Sequence, residues 1–131
     1  MKTPISFLLL AVVMHLAAPG ASPQKKTKSG PCPNALSQFE MTQCANREYR
    51  SADATLNKVY AQLIAILDDE EKSQIKEVQI TWIKYRDANC NFVADQYQGG
   101  TMRPMVFAFC LAELTEQRTA LLRTQVKDRT Q

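Results

Sequence analysis

Apolar residues recur at helical spacing along three stretches of the chain, and polar, acidic or glycine-containing breaks separate them. Ser37-Gln38-Phe39-Glu40 has the form of a capping box, in which a Ser hydroxyl and a Glu carboxylate satisfy free amides at a helix start. From there to about Leu67 no Gly or Pro intervenes, and Ala52, Leu56, Val59, Tyr60, Leu63, Ile64 and Leu67 form one apolar stripe. The acidic run Asp68-Asp69-Glu70-Glu71 predicts a break followed by a new helix start, where carboxylates meet the positive end of the helix dipole. A second helix is expected from about Glu70 to Tyr97. It carries a heptad seam of Ile75, Val78, Trp82, Tyr85, Asn89, Phe92 and Gln96, beside a second stripe of Ile83, Arg86, Cys90, Val93 and Tyr97. Two stripes predict two neighbours and make this helix the central one. Gly99-Gly100 interrupts the pattern, and Pro104 suits the first turn of a third helix, expected to reach about Val126 through Phe107, Cys110, Leu114, Leu121 and Leu122. No repeat and no useful β-type alternation appears. The prediction is all-α: a three-helix antiparallel bundle.

The segment before these helices is of another kind. Lys2 precedes an apolar run over residues 5–16, and small residues and prolines follow, which is the layout of a secretory signal peptide too short to span a membrane comfortably. We place the signal peptide at residues 1–20, with cleavage after Gly20, and a flexible basic spacer at 21–31. A helical domain at 32–126 and a C-terminal tail at 127–131 complete the division. No cysteine stands just after the apolar run, so a lipid-anchored form is not expected. The predicted location is the periplasm or the exterior.

Charge and cysteines narrow the function. The basic residues before Pro31 (Lys2, Lys25, Lys26, Lys28) lack acidic counterparts, and from Cys32 onward 12 Lys and Arg face 13 Asp and Glu, a net charge of −1. Nucleic-acid binding thereby loses its electrostatic basis. Four cysteines in an exported chain imply two disulfides with three possible pairings. A metal site is disfavoured, because Cys32, Cys44, Cys90 and Cys110 show no short paired spacing and no histidine accompanies them.

Helix geometry selects among the pairings. Cys90 and Cys110 lie ten residues either side of Gly100, so antiparallel helices bring them to one height, about 10 Å from the turn. In that register Val93 meets Phe107, Arg86 approaches Glu113 and Leu114, and Trp82 approaches Arg118 in a cation–π contact. The segment from Cys32 to Ser37 can fold back over Cys44. The preferred pairs are Cys32–Cys44 and Cys90–Cys110, each worth about 3 kcal/mol.

The only histidine, His15, lies in the leader, which removes Ser-His and Cys-His sites and the commonest neutral-pH base from the exported form. The acidic cluster at Asp68–Glu71 is explained by helix capping, no phosphate-binding loop is present, and paired cysteines leave no redox thiol. The expectation is a binding protein that is not an enzyme and needs no cofactor or metal. Trp82 reads as core, and Arg86 as a buried cation held by Glu113 or Glu40. The exposed turn with Tyr97, Gly99, Gly100, Thr101, Met102 and Arg103 is the candidate partner-binding loop.

These residues also carry a resemblance. Gln79-x-x-Trp82-x-x-Tyr85-Arg86-Asp87-x-x-Cys90, then Tyr97-x-Gly99-Gly100-Thr101-Met102, then Cys110-x-x-x-Leu114-Thr115-x-x-Arg118, resembles the lysozyme-inhibitor LprI-like family. Glu40-Met41-Thr42-Gln43-Cys44-Ala45 and Ala52-Asp53-x-x-Leu56-Asn57-x-x-Tyr60 are similar to its opening helix, so the likeness runs from Cys32 to about Arg123. The resemblance implies a small exported helical domain of bacteria whose partner is a protein, with lysozyme the candidate because the founding member inhibits it. In this reading Trp82, Tyr85, Arg86, Asp87 and Arg118 form a structural motif. Unlike that member, this chain has no lipid-attachment cysteine after its leader. The alternatives are an interaction or immunity module for another envelope protein and, less favoured, a cell-wall enzyme.

Overall fold

The computed structural model describes residues 32–131, so the expected leader (1–20) and spacer (21–31) lie outside the described residues. Three long helices, α1 (Gln38–Ile64), α2 (Asp69–Ala94) and α3 (Arg103–Thr130), run up, down and up, and one 3₁₀ turn (Asp95–Tyr97) follows α2. Both predicted starts are capped. Ser37 Oγ accepts from the Glu40 amide and the Glu40 carboxylate accepts from the Ser37 amide. Asp68 and Glu71 repeat this reciprocal box at the head of α2.

The helix ends differ from expectation in detail. α1 stops at Ile64, short of Leu67, because Asp68 must adopt extended backbone (ψ 177°) to cap α2. The last residues before it turn over, leaving Leu67 buried in the core. α2 ends at Ala94 and tightens into the 3₁₀ turn, and α3 continues through the expected tail to Thr130.

The central helix is α3, not α2. It packs along α1 most extensively and along α2 to a lesser degree. The reason lies in side-chain size: Ala45 and Ala52 of α1 and Ala108 and Ala112 of α3 are all buried and let these two backbones approach closely. Correspondingly, the expected heptad seam on α2 is only partly inward. Ile75, Gln79, Arg86, Cys90 and Ala94 are its buried residues, while Val78, Tyr85 and Phe92 are exposed.

Both preferred disulfides are present. Cys32–Cys44 has a Cα–Cα distance of 6.1 Å and Cys90–Cys110 one of 5.5 Å, and none of the four thiols is free. They occupy the same half of the bundle, near the starts of α1 and α3. The opposite half holds the aliphatic cluster Leu56, Val59, Leu63, Leu67, Ile75 and Leu122. Among the described residues no helix is long and apolar enough to cross a membrane.

Candidate functional site

Between the two halves lies a belt of cations around Trp82. The Arg86 guanidinium is buried and bonds Asp87 through Nε and Nη2, both at 2.8 Å. Its Nη1 donates to Thr115 Oγ1 at 3.4 Å and lies 3.9 Å from an Asp53 carboxylate oxygen. Its face covers the rings of Trp82 (5.2 Å) and Tyr49 (5.4 Å). The expected partners Glu113 and Glu40 are not used. Glu113 points to solvent and Glu40 is committed to the capping box, so the adjacent Asp87 and the α1 residue Asp53 neutralise the charge instead.

Arg118 stacks over the other side of this belt, 5.9 Å from the Trp82 ring as the register required, and donates through Nε to Gln79 Oε1 at 3.0 Å. Its Nη2 is buried without a hydrogen-bond partner, and burial lowers its pKa from the ordinary arginine value. Of the structural motif, then, Trp82, Arg86, Asp87 and Arg118 interlock, whereas Tyr85 faces outward. The belt fills the space between α1 and α2, where a shallow groove of about 270 Å³ passes over Arg86 and Gln79 between Tyr60 and Ile83. The guanidinium at its floor already has its carboxylates, so the groove offers packing rather than an unmet charge.

The stapled end is built differently. After the 3₁₀ turn, Gly99 takes φ +77°, a left-handed conformation that glycine adopts without steric penalty. At Gly100 a Cβ would lie 3.2 Å from the Tyr97 carbonyl, which itself accepts the Gly100 amide at 2.9 Å. Arg103 then locks the turn. Its guanidinium reaches Asp95 Oδ1 at 2.8 Å, Asn91 Oδ1 at 3.2 Å and Gln98 Oε1 at 3.2 Å. Of the predicted loop residues, Tyr97, Gly99, Gly100, Thr101 and Met102 are exposed, and Arg103 is the partly buried clasp beneath them.

A second segment reaches the same pole and was missed by sequence reasoning. The arm from Cys32 to Ser37 is clipped to α1 by the Cys32–Cys44 bond, and the Glu40 carboxylate accepts the Leu36 amide at 2.7 Å. Gln38 Nε2 lies 3.2 Å from Met105 Sδ, which fixes the head of α1 beside the head of α3. On this support Leu36 is 93% exposed and Phe39 71% exposed. The available signal was Leu36 immediately before the N-cap. That position usually forms a hydrophobic staple with the fourth helical residue, here Met41, yet Leu36 stays open. A recess of about 460 Å³ runs beneath the arm, bounded by Pro33, Asn34, Arg47 and Glu48.

Chemically, the pole offers apolar and aromatic contact on a rigid frame. Among the described residues no group of three or more His, Cys, Asp and Glu side chains could hold a metal ion.

The model of the family "Lysozyme inhibitor LprI" matches residues 31–122, and the chain belongs to that family. The chain is also similar to an uncharacterized protein of Rhizobium meliloti (strain 1021), with 35% identity over 127 residues, covering 87% of this chain and 89% of that protein. No solved structure matches.

Proposed function

We propose that this chain is an exported bacterial binding protein that inhibits lysozyme by protein–protein contact, without catalysis, cofactor or metal. Its contact surface is the disulfide-clamped pole: the turn with Tyr97, Gly99, Gly100, Thr101 and Met102, set by Arg103, together with Leu36 and Phe39 of the neighbouring arm.

The observation that carries the reading is the pairing of exposed apolar side chains with rigid support. Leu36 and Phe39 stand open on a segment held by Cys32–Cys44 and the Glu40 carboxylate. Tyr97 and Met102 stand open on a turn held by Cys90–Cys110 and the Arg103 clasp. Ordering such side chains on binding costs about 0.5–1.5 kcal/mol each when they begin mobile, and a clamped backbone removes the larger loop-ordering term. Aromatic anchors in a desolvated contact commonly dominate binding energy. Because the net charge from Cys32 onward is only −1, long-range steering contributes little, and inhibition should depend weakly on salt.

The family membership supports lysozyme as the partner. Two disulfides and the secretory layout of residues 1–20 support export, and the absence of a cysteine just after the apolar run supports a form without a lipid anchor. The test is a cell-clearing turbidity assay in which purified, oxidised protein is titrated against several lysozymes. Protection of the cells at near-stoichiometric protein is expected. No protection by a several-fold molar excess against any lysozyme type would reject the inhibitor function and leave another envelope protein as the partner.

A further inference from the structure

The flank of the α2–α3 hairpin carries an apolar ladder that neither the core nor the stapled pole uses. Val78, Tyr85 and Phe92 are spaced by seven residues along α2, and Leu121, Leu114 and Phe107 by seven along α3. The Cys90–Cys110 bond fixes the register of these antiparallel helices. In that register, to within one residue, Val78 faces Leu121, Tyr85 faces Leu114 and Phe92 faces Phe107. Val78 and the α3 residue Gln125 line one surface depression, and Asn89 Nδ2 lies 3.8 Å from Cys110 Sγ, which places both rows on the same side of the hairpin. Val78 is 49% exposed, Tyr85 58%, Phe92 77% and Leu121 59%, while Leu114 and Phe107 are half-buried between them.

We propose that this ladder is a self-association face, covered by the same face of a second copy in an antiparallel four-helix arrangement. Four observations select that occupant. The seven-residue spacing of both rows is the repeat that a facing helical hairpin matches, and this chain supplies such a hairpin. The rungs are tapered: Val78/Leu121 is small and Phe92/Phe107 is large. A two-fold axis through the middle rung therefore sets each large rung on a small one, as an isologous interface requires.

Area and charge agree. The open parts of two aromatic and two or more aliphatic side chains amount to roughly 500 Å² per copy. That equals the apolar share, about 65%, of the roughly 800 Å² per partner in a standard interface. Along the length of the ladder the bordering rows, Gln74, Thr81 and Ala88 on α2 and Gln117 and Thr124 on α3, carry no charge, and the charged residues Glu71, Asp95, Arg103 and Asp128 stand one heptad beyond its ends. Loss of charge around an apolar centre is the compositional mark of a homodimer interface.

Sedimentation velocity on the oxidised protein from about 1 to 100 µM tests the assignment. A monomer–dimer equilibrium in this range is expected, weakened at least tenfold by Phe92→Lys and by Leu121→Lys, each verified as folded by circular dichroism. The two-fold axis also places Tyr85 against its own counterpart, so Tyr85→Cys should give a disulfide-linked dimer readily, and Lys58→Cys on the far helix should not. A monomer throughout the range overturns the proposal, as does a dimer indifferent to both lysine variants or one that Lys58→Cys captures better than Tyr85→Cys. A monomer whose lysozyme inhibition disappears on Phe92→Lys would give the face to that partner and overturn self-association equally.

Discussion

The two ends of this bundle are held together by different chemistry. At the α1–α2 end, large aliphatic side chains (Leu56, Val59, Leu63, Leu67, Ile75 and Leu122) make a conventional core, and the surface ion pair Arg129–Glu71 at 3.7 Å adds little. At the other end most buried positions are small (Ala45, Ala94, Ala108, Ala112 and the cysteines Cys44 and Cys90) and bury little apolar area each, with Leu111 the large aliphatic side chain among them. There two disulfides and the Arg103 clasp supply the order. Stability and availability are thereby separated. One end buries a cluster of large apolar residues, with Ile66, Val78 and Leu121 left on its surface, and the other, held by covalent bonds, can display Leu36, Phe39, Tyr97 and Met102.

The largest expected effect comes from removing the covalent component. Reducing both disulfides should cost about 6 kcal/mol, as much as the whole stability of a domain at the lower end of the typical range of about 5–15 kcal/mol. Chemical unfolding with and without reductant would measure it. A loss below about 2 kcal/mol would mean that the small-residue end holds itself together.

Next come Leu63→Ala and Leu122→Ala, both fully buried, each expected to destabilise by about 3 kcal/mol with an unchanged denaturant slope. These variants should still inhibit lysozyme wherever they remain folded. The stapled end should show the opposite sensitivity. Ala112→Leu enlarges a residue packed between α3 and its neighbours and should cost about 2 kcal/mol through overpacking.

The belt between the ends is expected to respond least for its burial. Arg118 has a buried Nη2 without a partner, so Arg118→Met with Gln79→Leu should leave stability within about 1 kcal/mol of the parent or raise it. A loss of 3 kcal/mol or more in the same unfolding titration would show that the cation over Trp82 is an essential contact. Smallest of all, Tyr97→Ala with Met102→Ala should change stability by under about 0.5 kcal/mol while abolishing inhibition in the turbidity assay.

The same contrast explains what was legible in the sequence. Both N-terminal caps, the helix count and the disulfide pairs follow from local rules, and Trp82 against Arg118 follows from the register alone. The central position of α3 was not legible. Periodicity reports how many apolar residues a helix has, whereas the closest packing is decided by small ones, and the alanines on α1 and α3 carry no strong pattern. The same bias turned Val78, Tyr85 and Phe92 into a core seam when they form an open flank. At the pole, the glycine turn announced itself through φ requirements, but Leu36 and Phe39 did not. Their significance arises from lying beside the turn in space, 60 residues away in sequence.

The most direct test of the division between the two ends is hydrogen exchange on the complex with lysozyme. Contact through the stapled pole predicts slowed exchange in segments 35–41 and 95–103, with none of the added protection in segment 63–75 at the aliphatic end. Protection confined to residues 63–75, or absent from both pole segments in a complex shown to form, would contradict it.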